Sequence, residues 1–208
     1  MPISKLNSVL VVERRLPTDP VNFYDANAVA YAADGSVNSR LLPFLSKVRT
    51  GGSILELGTG SGKDAKVMIE RGFVVDATDG STELAAIASS YLGQTVRTMR
   101  FEELAAQEAY DGIYAAASLL HVPRTDLPSV LRKIYTAIRS NGVVWASFKV
   151  GSNEGVDSLG RYYNYLDTAE LTALWESAGP WAQIELEEWL GSGFDDQPTN
   201  WAAITAVR

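Results

Sequence analysis

Apolar positions along the chain alternate between two periods. Short runs rich in apolar residues at 53–57, 73–78, 95–99, 112–117 and 143–150 read as strands, the first as a buried parallel one. Between them, apolar residues recur every three or four positions, as helices require. The clearest case has Leu127, Val130, Leu131, Ile134, Tyr135 and Ile138 on one face. Helices are predicted over 63–71 and 83–91, closed by Gly72 and Gly93, and from 125 to Asn141-Gly142, with Pro128 in the first turn. Upstream, 23–33 and 36–48 read as helices of a cap. Downstream, Asp167-Thr168-Ala169-Glu170 has capping-box spacing, and Gly179-Pro180 is a stop signal. Two last strands, about 182–189 and 201–207, are joined by the short connection 191–199, which predicts an antiparallel hairpin. The expectation is an α/β, doubly wound, mostly parallel seven-stranded sheet with an antiparallel last strand. It is read as one domain, with a helical cap over 1–50 and an α/β core over 51–208.

The first strand ends in Glu56 and runs into Gly58-Thr59-Gly60-Ser61-Gly62-Lys63. Alternate glycines allow a tight turn and let a ligand approach the main chain. A helix then begins near Gly62, with its free N–H groups pointing back at the loop. The spacing is neither the G-x-G-x-x-G of a dinucleotide loop nor a P-loop, because Lys63 is followed by Asp64. Glu56 would repel a pyrophosphate and suits a cofactor carrying an ammonium. Asp79 ends the second strand about 20 residues past the first loop glycine, where a βαβ unit sets an acid against a ribose diol. It also stands where a cap for the helix starting at Ser81 would stand.

Ala117 and Ser118 follow the alanine-rich fourth strand, at the carboxyl end where ligands bind. His121 is the single histidine. It reads either as a pocket residue that orients or deprotonates an acceptor, or as a loop residue packed on the next helix. Arg161 and Tyr162 lie in the tyrosine-rich turn 160–165, a candidate wall or lid. Tyr24 and Tyr31 lie two helical turns apart on one face of the cap.

Composition narrows the class. The 208 residues include no cysteine, so disulfides and thiolate metal sites are excluded. With one histidine, a His-rich metal site is excluded too, and no metal is expected. The net charge of −7 and the lack of a basic patch argue against nucleic acid and anionic membranes. Residues 1–16 lack a leader pattern, and no apolar run is long enough to span a bilayer. A soluble cytoplasmic protein is expected.

The run Glu56-x-Gly58-x-Gly60-x-Gly62 resembles motif I of the class I S-adenosylmethionine-dependent methyltransferases. With Asp79, Phe101-Glu102, 118–121 and 131–146 in order, the resemblance extends from about Ser53 to the C-terminus. The run 160–165 is similar to a subgroup related to tellurite-resistance and thiopurine-type small-molecule enzymes. This resemblance implies S-adenosyl-L-methionine as cofactor and a small-molecule methyl acceptor. It implies that Glu56, Gly58, Thr59, Gly60 and Gly62 hold the methionine end, with Ala117 and Ser118 nearby. It further implies Asp79, Gly80 and Ser81 at the ribose and Phe101 and Glu102 at the adenine. Tyr24, Tyr31, His121, Arg161 and Tyr162 would form the acceptor pocket. Gly80 departs from relatives that carry a larger apolar residue against the adenine. An Asn/Asp-Pro-Pro-aromatic segment, common in nucleic-acid and protein amino-methylating enzymes, is absent. The implied mechanism is direct displacement, which needs no nucleophile or metal set. Two alternatives stay open: an NAD-binding oxidoreductase, for which a Tyr-x-x-x-Lys motif is missing, and a non-catalytic cofactor-binding subunit.

Overall fold

Strand β1 (Ser53–Leu57) lies at the heart of the sheet, with Ile54, Leu55 and Leu57 at most 1 % exposed. A strand covered on both faces favours apolar residues on both, as Ile54, Leu55 and Leu57 show; the buried Glu56 is the exception. In the computed structural model, which describes residues 19–34, 36–193 and 197–208, β1 pairs in parallel with β2 (Val74–Asp79) and β4 (Tyr110–Ala115). The edge strand β3 (Arg97–Thr98) adds to β2, and β5 (Ile138–Lys149) adds to β4, both in parallel. Of the two short strands that follow, β6 (Gly155–Val156) and β7 (Tyr162–Tyr163) form a separate two-stranded arm. Strands β8 (Gln183–Ser192) and β9 (Pro198–Val207) complete a seven-stranded sheet of order β3-β2-β1-β4-β5-β9-β8. Strand β9 is antiparallel to both of its neighbours, as the short final connection requires.

Helices α3 (Lys63–Glu70) and α4 (Thr82–Leu92) make the first crossovers, and α5 (Leu127–Ala137) leads into β5. Helices α5 and α6 (Thr168–Ala178) bury Ile134, Leu171 and Trp175 on one face of the sheet. On the other face, α2 (Leu41–Lys47) and α3 pack Phe44 and Met68 against Tyr114 and Trp145. The chain crosses from the β3 edge back to β4, so it leaves β1 and β4 in opposite directions. That reversal opens a crevice at their carboxyl ends. Helix α1 (Pro20–Ala33) lies across that end. It kinks at Asn27, whose amide donates to the Phe23 carbonyl at 2.8 Å.

Several boundaries differ from the sequence pattern. The helix expected over 36–48 shrinks to α2, because Asn38 forms a turn with Arg40 and donates its backbone N–H to Asp64. The strand expected over 95–99 keeps two residues, since the Ser89 hydroxyl takes the N–H of Val96. Helix α5 stops at Ala137, because Ile138 already pairs with Tyr110. Asn141 turns the chain at φ +62° within β5. Half of the expected capping box forms. Asp167 accepts from the Glu170 N–H at 2.7 Å, but the Glu170 carboxylate turns to Arg124. Gly179 is extended at φ 171°, and it is needed because a Cβ would lie 2.5 Å from the Tyr135 ring. Strands β6 and β7 were not foreseen. The reading of residues 1–16 and part of the connection 191–199 lie outside the described residues.

Candidate active site

A cavity of about 600 Å³ opens at the carboxyl ends of β1, β2 and β4. Its floor is the glycine loop. Gly58, Gly60 and Gly62 all take left-handed backbone, at φ +80°, +56° and +82°. A Cβ on Gly58 would stand 2.6 Å from that of Ser118, and one on Gly60 would stand 3.3 Å from the Tyr31 ring. The loop amides are spoken for within the protein. Gly58 and Thr59 both donate to the Thr78 carbonyl, Gly62 donates to Thr59, and Gly60 donates to Asp79. The N–H of Gly62, where the helix begins, therefore turns to Thr59 rather than to a ligand. Among the residues lining the cavity, side chains carry much of the remaining polar surface.

Asp79 is the principal one. Its Oδ2 accepts from Gly60 and its Oδ1 from Ser81, each at 2.8 Å. Each carboxylate oxygen keeps a second acceptor site, so a pair of hydroxyl donors can still bind. Burial holds the Asp79 carboxyl above the usual carboxylate range, against the pull of its backbone donors. Glu56 lies deeper. It is 3 % exposed, accepts the Thr59 hydroxyl and is pushed up to about 8, chiefly by burial and then by nearby Asp64 and Asp79. Glu56 and Thr59 therefore sit beneath the loop rather than on the cavity wall.

At one side, Phe101, Glu102, Met99 and Arg100 line the cavity after β3. Arg100 is held by a bidentate pair with Asp19 at 3.0 and 2.6 Å, which ties the start of α1 to this wall. Gly80 makes room for Val21, whose Cγ2 would lie 3.1 Å from a Cβ there. The apolar surface that a larger residue would supply comes from α1. Ser81 turns away. Its hydroxyl caps α4 by accepting from Leu84 at 3.0 Å and donates to Asp25 at 2.6 Å.

At the other side, Tyr24, Tyr31, His121 and Tyr162 converge. The rings of Tyr24 and Tyr31 meet edge to face at 5.1 Å. His121 Nδ1 lies 2.6 Å from the Tyr162 carbonyl, which can only accept, so Nδ1 carries a proton. Nε2 then accepts from the Tyr24 hydroxyl at 2.8 Å. Burial pushes the imidazole down to about 4, with the charges of Arg161 and Lys149 adding to the effect. His121 is thus neutral at pH 7 and forms a neutral pair with Tyr24.

A family described as Methyltransferase domain matches residues 30–179, most of the chain. The chain belongs to that methyltransferase family. In sequence, no curated protein matches it. Among solved structures, phosphoethanolamine N-methyltransferase 2 of Haemonchus contortus, with S-adenosyl-L-methionine, superimposes with a TM-score of 0.71 at 18 % identity. That match covers 88 % of this chain but only 57 % of the nematode enzyme. The 1,6-didemethyltoxoflavin-N1-methyltransferase of Burkholderia thailandensis, solved with its substrate and S-adenosylhomocysteine, gives 0.67 at 19 % identity over 93 % of this chain and 90 % of that one. A S-adenosylmethionine-dependent methyltransferase of Archaeoglobus fulgidus gives 0.67 at 12 % identity, over 90 % and 98 %. At these identities the likeness concerns the fold.

The methyltransferase fold implies S-adenosylmethionine, and the residues present fit it. Glycines leave the loop open to close approach, Asp79 offers a diol acceptor, and four loop N–H groups already donated within the protein are not offered to a phosphate. Of the residues singled out from sequence, Gly58, Gly60, Asp79, Gly80, Phe101, Glu102, Ala117, Ser118, Tyr24, Tyr31, His121 and Tyr162 share the cavity wall. Glu56, Thr59, Gly62, Ser81 and Arg161 lie behind it. Sequence reasoning missed Val21, Arg100 and the stretch from Pro123 to Val130 that includes Thr125 and Ser129. Thr125-Asp126 was visible only as a helix start, and nothing local marked Val21.

Proposed function

We propose that this methyltransferase domain moves the methyl group of S-adenosylmethionine to a small-molecule acceptor by direct displacement. The observation that carries the reading is the union of a glycine-floored, Asp79-bearing end and a tyrosine-histidine end in one cavity roofed by α1. A roofed cavity of about 600 Å³ suits a cofactor and a small partner rather than a nucleic-acid strand. The net charge of −7 supports the same exclusion. The absence of cysteine suits a cytoplasmic setting. Among the described residues, no helix is long and apolar enough to cross a membrane.

When bound, the cofactor supplies an activated methyl on a sulfonium. Asp79 would accept from the ribose hydroxyls. Glu102 and Phe101 would hold the adenine, facing Val21 across the cavity. Glu56, mostly protonated at pH 7 in the free protein, would lie beneath the methionine end and ionise as an ammonium settles there, with Ala117 and Ser118 beside it. Tyr24 and Tyr31 exclude water and orient the acceptor's lone pair. The Tyr24 hydroxyl, donating to His121 Nε2, can still accept a hydrogen bond from an N–H or O–H of the acceptor and so aim its lone pair.

Calorimetry with S-adenosylmethionine, S-adenosylhomocysteine and NAD tests the cofactor. Binding of the first two, with loss in Asp79→Ala, supports the reading. Binding of NAD alone would replace it with an oxidoreductase. A screen of small amines, phenols and thiols with methyl-labelled cofactor then seeks the acceptor.

A further inference from the structure

Five residues of the cavity wall, Tyr24, Ala117, Ser118, His121 and Tyr162, share one polarity: each gives a proton to a partner within the protein. The Tyr162 carbonyl can only accept, so the proton 2.6 Å away belongs to His121 Nδ1. Nε2 of that neutral ring can only accept, so the Tyr24 hydroxyl, at 2.8 Å, donates to it. The Tyr162 hydroxyl donates to the Glu154 carboxylate at 2.6 Å. The Ser118 hydroxyl donates to the Leu57 carbonyl, also at 2.6 Å. The Ala117 N–H donates to the Ser147 hydroxyl at 2.8 Å.

Lone pairs are what these side chains keep for a ligand. A phenol or serine oxygen that donates one hydrogen bond can still accept another. On Tyr162 the Arg124 N–H already uses that capacity, at 3.3 Å, which leaves Tyr24 as the acceptor beside the imidazole. A ligand that brings an N–H is matched by this wall. A carboxylate or thiolate brings only acceptors, finds no donor in these five residues, and pays for an unpartnered buried charge. The cations acting on His121 lie behind the wall. Arg161 is paired with Asp157 at 2.9 and 2.7 Å, and Lys149 Nζ stands 4.5 Å from the Tyr163 ring.

The fate of the acceptor's proton adds a second constraint. Neither member of the Tyr24–His121 pair is a base at pH 7. Burial pushes the imidazole down to about 4 and holds the phenol well above its ordinary value. A hydroxyl must lose its proton before it attacks well. A neutral amine nitrogen carries a lone pair and an N–H together, and attacks without a base. We infer that the methyl acceptor is a neutral nitrogen bearing at least one N–H, and that the Tyr24 oxygen receives that N–H. This inference rests on the methyl-transfer reading. The nitrogen lone pair forms the bond to the methyl carbon, the carbon–sulfur bond breaks, and its electron pair stays on sulfur. The methylated nitrogen holds the positive charge and keeps its proton until it reaches water.

The single histidine makes binding at this wall observable, because every imidazole signal in a nitrogen-15 spectrum belongs to His121. Aniline, N,N-dimethylaniline and benzoate are titrated at pH 7.5 into the protein with S-adenosylhomocysteine bound. Aniline should bind about 2- to 10-fold more tightly than N,N-dimethylaniline, the worth of one neutral hydrogen bond. Benzoate should bind more weakly than aniline. In Tyr24→Phe the preference for aniline over its dimethyl form should vanish, whereas a preference due to size alone would persist. In a screen of amines, phenols, thiols and carboxylic acids with methyl-labelled cofactor, the labelled product should be N-methylated. The inference is overturned by benzoate binding as tightly as aniline, by equal affinity for the two anilines, or by a preference that survives Tyr24→Phe. No response to aniline at its solubility limit overturns it too, as does an O-, S- or carboxyl-methylated product. Should Tyr24→Phe fail to fold, the wild-type comparisons still decide. Calorimetry with S-adenosylhomocysteine on the same samples separates the two readings. Failure to bind it counts against methyl transfer alone, and the three probes are then read on the free protein.

Discussion

Asp79 and Asp111 sit at opposite ends of the same sheet, and their surroundings differ in kind. Asp111, at the start of β4, accepts from Arg49, from Arg139, and from both the backbone and hydroxyl of Ser53. Burial opposes its ionisation, but these partners hold it below the usual carboxylate range. Asp79, at the end of β2, accepts from two backbone amides, and no ion pair reaches it among the described residues. Burial dominates there and raises it. A carboxylate ringed by cations is a finished joint between strands. One held by backbone dipoles alone keeps acceptor capacity and is stabilised further by whatever donor arrives. The amino end of the sheet is thus built for stability and the carboxyl end for a ligand.

The contrast can be broken most forcefully at the loop. Gly58→Ala places a Cβ 2.6 Å from Ser118 on a residue at φ +80°. It should cost about 1–3 kcal/mol of stability and abolish S-adenosylhomocysteine binding, read by thermal melts and calorimetry. Next come the two aspartates. Asp79→Asn should weaken that binding by about 10- to 100-fold, the worth of a hydrogen bond to a charged group. The free protein should be no less stable. Asp111→Asn should do the reverse, lowering the melting temperature and sparing affinity. Equal destabilisation by the two changes would show that the ends of the sheet are not specialised.

The pH dependence of stability sharpens the same point. Glu56 has a folded value of about 8, above its ordinary 4.5. Its contribution is therefore complete below about 4.5 and is lost as the pH rises through about 8. Glu56→Gln should flatten that decline in denaturant titrations. Asp111 is lowered, so its contribution is present above 3.8 and is lost as the pH falls further. Asp111→Asn should flatten the acid limb instead. The smallest effect is expected from Asp19→Asn. The pair with Arg100 is about 40 % exposed on both sides, worth about 1 kcal/mol or less. It should raise amide hydrogen exchange across the start of α1 with little change in melting temperature.

Particular residues show where legibility ended. The floor of the cavity could be read because Gly58, Gly60, Gly62 and Asp79 belong to one βαβ unit, whose geometry is set locally. The Gly80 departure could not be resolved, because the missing apolar surface comes from Val21, far away in the chain. Arg161 was rightly noticed and wrongly faced. Its direction depends on Asp157, and nothing in the composition of a loop reports the winding of its turn. Helix α5 was overextended, since helical spacing continues through Ile138 while strand pairing with Tyr110 claims that residue first.

By itself, the sequence determined the alternation of strands and helices, the parallel sheet with its antiparallel close, and the glycine-acid cradle. These follow from periodicity, backbone freedom and connection length, all properties of contiguous residues. Only the tertiary structure decided which polar groups meet. It set the Asp19–Arg100 tie, the protonation form of His121, and the Tyr24–His121 pair. Those depend on residues as much as 97 positions apart being brought within hydrogen-bond distance, and a hydrogen bond carries no trace of itself in the local pattern of either partner.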